Sequence, residues 1–196
     1  MSRAHAFLSA SGAYRWINCP PSAKLQEQYE DTGSEFAAQG TDAHSLGEWK
    51  ILTLQGQALP DPRPSLTYFD QEMDDHTDAY AAFVLDTFAE MQQSCKDPLL
   101  LVEQRVDFST WVPDAFGTAD AIVCGNGCLS IIDFKYGSGV EVSAEGNPQM
   151  SCYALGALDL LDDLYSIQTI SMTIFQPRRE NISRWTTTKA DLLAWA

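Results

Sequence analysis

Apolar positions recur at helical spacing through the first half of the chain and at strand spacing through most of the second. Between Glu35 and Leu54, the residues Phe36, Ala43, Leu46, Ile51 and Leu54 fit one face of a helix. Between Asp70 and Gln93, Tyr80, Phe83, Val84, Thr87, Phe88 and Met91 form a second stripe. The acids Asp70, Glu72, Asp74, Asp75 and Asp78 gather at its start, where the helix dipole favours negative charge. Upstream, Ser9 to Glu30 reads as two short helices broken at Cys19-Pro20-Pro21, with Ser22 as the cap of the second. Pro60, Pro62 and Pro64 make Gln55 to Ser65 a loop. The period then changes. Leu99–Phe108, Gly117–Cys124, Leu129–Lys135 and Thr169–Phe175 read as strands, with a helix over Ala144–Asp162 before the last. This order predicts an α/β chain with a mixed sheet: an antiparallel meander, then a helical crossover.

At the end of the chain, Thr188 followed by Asp191 resembles a capping box, and Leu192, Leu193 and Trp195 begin an apolar stripe. A helix stopping after about two turns suggests a fragment of a longer protein or a short natural form. The expected organisation is one domain over 1–196. Its parts are a mainly helical region over 1–98, a catalytic sheet and helix over 99–175, and a C-terminal hairpin and helix start over 176–196.

The 45% hydrophobic content fits a globular chain. No run approaches the ~18 apolar residues of a membrane span, and no charged-then-apolar leader precedes Ala6-Phe7-Leu8. A cytoplasmic location is expected. The five cysteines read as reduced thiols. The formal net charge of −15 argues against broad nonspecific wrapping of nucleic acid, though not against a local groove assisted by cations. No phosphate-cradling loop pattern of the P-loop type is present.

The chemistry concentrates around Cys124-Gly125-Asn126-Gly127-Cys128. Asn-Gly is the strongest two-residue hairpin signal, because a type I′ turn needs positive φ at both central positions. With Asn126 and Gly127 in the turn, Gly125 pairs with Cys128, and the register carries Asp120 opposite Asp133. Their Cβ atoms would lie ~4.5–5.5 Å apart, where like charges repel. Lys135, two residues beyond Asp133, shares its face. Two readings stand. In one, a divalent cation of the Mg²⁺ or Mn²⁺ type sits between the carboxylates, with Lys135 close to the water it activates. In the other, Asp133 and Lys135 form an ordinary ion pair on a solvated face. A three-residue loop would remove the argument, because it would send the two acids to opposite faces. Glu103 is a further acid inside an apolar run, with Arg105 as its simplest partner.

These residues resemble the PD-(D/E)XK nuclease superfamily, in its RecB-like exonuclease branch, which includes phage-encoded exonucleases and the nucleases of CRISPR spacer acquisition. Ser9-Ala10-Ser11 through Trp16-Ile17-Asn18-Cys19-Pro20 is similar to that branch's N-terminal helix and Cys-Pro turn. Gly40-Thr41-Asp42-Ala43-His44 is similar to its histidine-bearing helix, and Gly117-Thr118-Ala119-Asp120 to its glycine-x-x-aspartate strand. Asp133-Phe134-Lys135 resembles its Asp-x-Lys strand, and Gln149-Met150-Ser151-Cys152-Tyr153 its Gln-x-x-x-Tyr helix.

The resemblance implies a restriction-endonuclease-like core, a mixed sheet flanked by helices with an N-terminal helical segment. It implies that His44, Asp120 and Asp133 bind the metal, with the main-chain carbonyl of Phe134 as a further ligand. Lys135 would position or deprotonate the attacking water, and Glu103 would assist the metal or Lys135. Gln149 and Tyr153 would order the site and contact DNA. The implied reaction is metal-dependent hydrolysis of DNA phosphodiesters, leaving a 5′-phosphate, in phage recombination or DNA-end processing. DNA is the implied partner, with a single-strand annealing protein and a second copy of the chain as further ones, no membrane, and the host cytoplasm as location if phage encoded. Two other classes fit less of the pattern: a non-catalytic DNA-end-binding or scaffold protein, and a metal-dependent hydrolase of a small phosphate compound. Some members of the branch hold an iron–sulfur cluster. Cys19 matches its upstream ligand, but no group of three cysteines follows Tyr153, so none is expected here. Arg178, Arg179 and Arg184, with Trp185, form the one basic cluster. They would hold a phosphate backbone, or else sit solvated on a hairpin edge.

Overall fold

The computed structural model describes residues 6–29 and 33–196. Two short helices, α1 (Ala13–Asn18) and α2 (Ser22–Gln26), precede the long helices α3 (Glu35–Leu54) and α4 (Gln71–Ser94). Strands β1 (Leu99–Asp107), β2 (Phe116–Gly125) and β3 (Cys128–Phe134) follow. Helix α5 (Pro148–Tyr165) then leads to β4 (Thr169–Gln176), β5 (Asn181–Thr188) and α6 (Lys189–Trp195). The five strands lie in the order β1-β2-β3-β4-β5. Only the β3–β4 pair, joined through α5, is parallel. This is the α/β architecture expected of a restriction-endonuclease-like core.

Both faces of the sheet are covered, and alternation along β3 shows why. Leu129 and Ile131 join the core beneath α5, with Ile170, Met172, Leu155 and Leu158. Ile132 and Phe134 face the other way, into a core made by Leu46 and Ile51 of α3 with Met73, Tyr80 and Val84 of α4. The side-chain period of two therefore serves both helical layers with one strand.

Caps set the long helices. Ser34 Oγ accepts from the Ala37 N–H, and Asp70 Oδ1 accepts from the Met73 N–H with Glu72 and Asp74 in the first turn of α4. Three expectations change. Ser22 is the first residue of α2 rather than its cap, Pro21 taking that place, and the helix ends at Gln26; Glu30 lies outside the described residues. Phe36 and Leu54 are 75% and 67% exposed, because they lie outside the Ala43–Ile51 stretch that the second core covers. Helix α5 begins at Pro148, not Ala144: Asn147 Oδ1 accepts from the N–H groups of Gln149 and Met150, and proline fixes the first helical φ. The segment after β4 forms the expected hairpin through β5. Thr188 Oγ1 accepts from the Asp191 N–H at the start of α6.

α5 sits against β1 with no room for a side chain at its midpoint. A Cβ on Gly156 would lie 2.9 Å from Val106 Cβ and 3.0 Å from the Asp107 carbonyl oxygen. Gly156→Ala should therefore destabilise the protein by about 1–3 kcal/mol, despite alanine's better helix propensity, as read by urea unfolding. A gain in stability would show that α5 can move off β1 freely.

Candidate functional site

The turn is of the expected type. Asn126 (φ 49°) and Gly127 (φ 73°) both lie in the left-handed region, and Gly125 pairs with Cys128. The β2–β3 ladder runs as far as Ala121 with Ile132, so the next position places Asp120 across from Asp133. There the ladder gives way to a side chain: the Phe134 N–H donates to Asp120 Oδ2 at 2.6 Å. On the other side of β2, Val102 pairs with Ala121 and Gln104 with Ala119. Glu103 therefore holds the position across from Asp120, and three carboxylates occupy one row over β1, β2 and β3. The backbone departs from the strand at this row, with Glu103 at φ 48°. A non-glycine residue held there stores about 1–3 kcal/mol, which surrounding structure must offset.

Two cationic groups serve this row. From α3, His44 brings Nδ1 to 3.3 Å from Asp120 Oδ1 and 3.6 Å from Glu103 Oε1, with its ring 5.4 Å from that of Phe134. At the end of β3, Lys135 Nζ lies 2.9 Å from Asp133 Oδ2 and 3.1 Å from Oδ1, and donates to Gln149 Oε1 at 3.0 Å. The Gln149 amide nitrogen donates to Asp133 Oδ1 and to the Tyr153 hydroxyl, each at 3.0 Å. Gln149 and Tyr153 stand one turn apart on α5, and the Gln149 N–H is itself held by the Asn147 cap. Asp133 is only 2% exposed and Asp120 7%.

The electrostatics follow from this packing. Burial opposes charge on His44, but the Asp120 carboxylate, aided by Glu103, outweighs it and pushes the imidazole up to about 10. Burial likewise opposes charge on Lys135, yet Asp133 prevails and holds the amine above its ordinary value, so it is an ammonium at neutral pH. Burial pushes the Asp133 carboxyl up, against the pull of Lys135. Burial also raises the Tyr153 hydroxyl, leaving it neutral.

His44, Glu103 and Asp120 offer ligand atoms that all lie within 4.8 Å of one another. Two hard carboxylate oxygens and an imidazole suit a small divalent cation. The acids that keep His44 charged would also attract such a cation, whose binding would displace the His44 proton. Asp133 stands outside this trio, since Lys135 and Gln149 take up its carboxylate. Of Phe134, it is the N–H that engages Asp120.

The expected DNA contacts separate. Gln149 and Tyr153 are at the site. Arg178 is tied into the fold: it donates to Gln39 Oε1 at 2.9 Å and Glu72 Oε2 at 3.1 Å, with its guanidinium 4.3 Å from the Tyr136 ring centre. Arg179 is exposed. Arg184 lies over the Phe83 ring. Glu48, outside the expected site set, lines a cleft of about 390 Å³ with His44, Ser45 and Glu103. Burial and the Glu103 carboxylate raise its carboxyl. The signal was present in the sequence, because Glu48 stands four residues after His44 on the same helix face. The five cysteines are free thiols, and burial pushes Cys124 up to about 12, so it carries no thiolate at neutral pH.

The fold and site thus define an α/β chain with a carboxylate–histidine cluster beside a buried lysine–aspartate pair. The chain belongs to the DUF2800 family, described as a protein of unknown function, whose model matches residues 5–196. Among solved structures it is similar to an alkaline exonuclease, LHK-Exo, from Laribacter hongkongensis. That match has a TM-score of 0.36 and 12% identity over 81% of this chain and 78% of that one. It is also similar to SSO0001, with a TM-score of 0.27 and 11% identity over 78% of this chain and 82% of that one.

In the protein held in EDTA, Asp120→Asn should bring the His44 titration down from about 10 toward its ordinary value, as followed by NMR of the ring protons. The His44–carboxylate attraction is fully present below ~6.5 and is lost as pH rises through about 10. Stability in EDTA should therefore fall over that window in the wild type and stay flat in His44→Gln. An unmoved titration in Asp120→Asn would remove Asp120 as the cause.

Proposed function

We propose that this protein is a metal-dependent DNA exonuclease of the RecB-like type, with residues 1–196 acting as one nuclease domain. The observation that carries the reading is the placement of the His44–Glu103–Asp120 cluster one strand position from the Asp133–Lys135 pair. The first offers a seat for a hard cation, and the second a fixed ammonium next to it.

Mg²⁺ or Mn²⁺ would be held by His44 and Asp120, with Glu103 or Asp133 completing the carboxylate set. When bound, it would lower the pKa of water and stabilise charge on phosphate oxygens. Everything else falls to the chain's own side chains. Lys135, kept protonated by Asp133, donates hydrogen bonds to the attacking water or to a non-bridging phosphate oxygen. Its pairing with Asp133 and Gln149 fixes where those hydrogen bonds are offered. Gln149 fixes the Asp133 carboxylate, and its own amide is oriented by Tyr153. Attack on phosphorus forms one P–O bond and breaks the bond to the 3′ oxygen; the attacking water gives up a proton to solvent, and the departing 3′ oxygen takes one from solvent. The products are a 5′-phosphate and a 3′-hydroxyl. Exposed Arg179, with Gln149 and Tyr153, is the reading for strand contacts, while Arg178 serves the fold. Function in phage recombination or DNA-end processing in a host cytoplasm, with an annealing protein or a second copy as partner, extends the same reading. The net charge of −15 favours a second reading, hydrolysis of a small phosphate compound, since a long polyanion is repelled by most of this surface.

End-labelled linear DNA should be degraded in Mg²⁺ or Mn²⁺ and not in EDTA, while covalently closed circular DNA survives. Lys135→Ala and Asp133→Asn should each lower the rate by about 10²–10³-fold, with no change in unfolding midpoint large enough to account for it. Gln149→Ala, which loosens Asp133 without removing it, should cost about tenfold. Intact linear DNA under every metal would overturn the reading. Cleavage of a nucleotide phosphate alone would favour the second one.

A further inference from the structure

We infer that the Tyr80 hydroxyl belongs to the cation seat, as a buried donor that reaches the carboxylate row through an enclosed water and fixes its Asp120 end; this rests on the nuclease reading above. Tyr80 lies on α4, in the core that also holds Leu46, Ile51, Met73 and Val84. A phenylalanine would fill the same apolar space, and the rings next to it, Phe134 and Phe175, are phenylalanines. Tyr80 is 2% exposed, and its hydroxyl oxygen is buried with no hydrogen-bond partner among the described residues. Buried hydroxyls in folded proteins are partnered as a rule, by protein groups or by ordered water. A tyrosine at this position therefore calls for a polar neighbour.

Packing brings the ring to the carboxylate row. It stacks on Phe134, with centroids 4.4 Å apart and planes 9° from parallel. The N–H of the same Phe134 donates to Asp120 Oδ2, and its ring meets that of His44 at 5.4 Å. Phe134 thus stands in contact with both Tyr80 and His44. Helix α3 leaves room for this at Gly47, one turn after His44. A Cβ there would lie 3.1 Å from Tyr80 Cδ1 and 3.3 Å from its Cε1.

Charge gives the direction. Burial raises the phenol, and Asp120, Glu103 and Asp133 raise it further, in that order. The row, rather than the acids of its own helix, is what acts on it. The hydroxyl keeps its proton and can donate it. A water between the two would have the hydroxyl on one side and the Asp120 and Glu103 carboxylates on the other, enough polar partners to hold it in an enclosed place. Asp120 would then be fixed by His44, by the Phe134 N–H and, through the water, by Tyr80. Tyr80 touches neither substrate nor reacting atoms, so it is a positioning residue for the carboxylates that would hold the cation.

Tyr80→Phe keeps the ring and removes only the hydroxyl. Calorimetric titration of the metal-stripped full chain with MnCl₂ should show affinity about tenfold weaker than in the wild type. Urea unfolding in EDTA reads the same contact without metal. Tyr80→Phe should lower the midpoint there. In an Asp120→Asn background the drop should be about half as large, since hydrogen bonds to a charged group are roughly twice as strong as those to a neutral one. A hydroxyl without a partner gives the opposite result, because its removal leaves the midpoint unchanged or raises it. Unchanged Mn²⁺ affinity, or a midpoint that stays or rises, overturns the inference. The nuclease reading survives that outcome as long as the wild type binds Mn²⁺ and Asp120→Asn does not. If the wild type takes up no Mn²⁺, the nuclease reading falls, and the urea comparison alone decides whether Tyr80 holds the row.

Discussion

The site depends on a register, and the register depends on two residues that carry no chemistry. Asn126 and Gly127 accept positive φ, which makes the β2–β3 connection a two-residue turn. A loop one residue longer would move every side chain of β3 to the opposite face. Asp133 would then leave the α5 side, where Gln149 and Tyr153 reach it, for the apolar layer of Tyr80 and Phe175. The same register, continued through β2 to β1, brings Glu103 into the row of Asp120 and Asp133. Three neighbouring carboxylates repel, and no property of the sheet itself offsets this. The helices supply the counter-charge and the hydrogen-bond donors.

They do so from opposite faces, which divides the row into two electrostatic units. α3 delivers His44 to Asp120 and Glu103, while α5 presents its N-terminal turn to Asp133. The Asn147 cap holds the Gln149 N–H, so the helix start and the orienting amide are fixed together. An N-terminal turn also favours a nearby carboxylate through the helix dipole. Lys135 completes the second unit from β3 itself. The difference between the units is what they leave exchangeable. His44 is a third exposed and its charge is set by a proton that a metal can displace. Lys135 is held by two partners and keeps its charge.

Much of this was legible because it is local. The Asn-Gly turn, the shared face of Asp133 and Lys135, and the one-turn spacing of Gln149 and Tyr153 need only periodicity and turn chemistry. Helix α5 starts at Pro148 rather than Ala144, and the signal for that start, Asn147-Pro148, is local as well. What stayed hidden is non-local. The left-handed backbone at Glu103 follows from packing across three strands and has no signature in Leu-Val-Glu-Gln. The role of Arg178 follows from Gln39 and Glu72, 139 and 106 residues away in sequence. An arginine cluster read along the chain looks available for phosphate, but the fold claims one of its members.

That last point governs how a protein with 27 acids and 12 lysines and arginines can meet a polyanion at all. Long-range attraction is absent, so encounter cannot depend on the field of the whole surface. It depends on which cations the fold leaves unpaired and where they stand. Lys50 is spent between Asp74 and Asp78, and Lys189 on Asp162. Arg105 remains over the Phe116 ring on β1, two residues beyond Glu103, and Arg15 and Lys24 stand on the segment seated beside Tyr153. Among the described residues the cations outside ion pairs are scattered, since Lys96 stands before β1 and Arg179 and Arg184 lie around β5. On the nuclease reading proposed above, a divalent cation at the carboxylate row would have to supply the local attraction for phosphate that this scatter of cations does not.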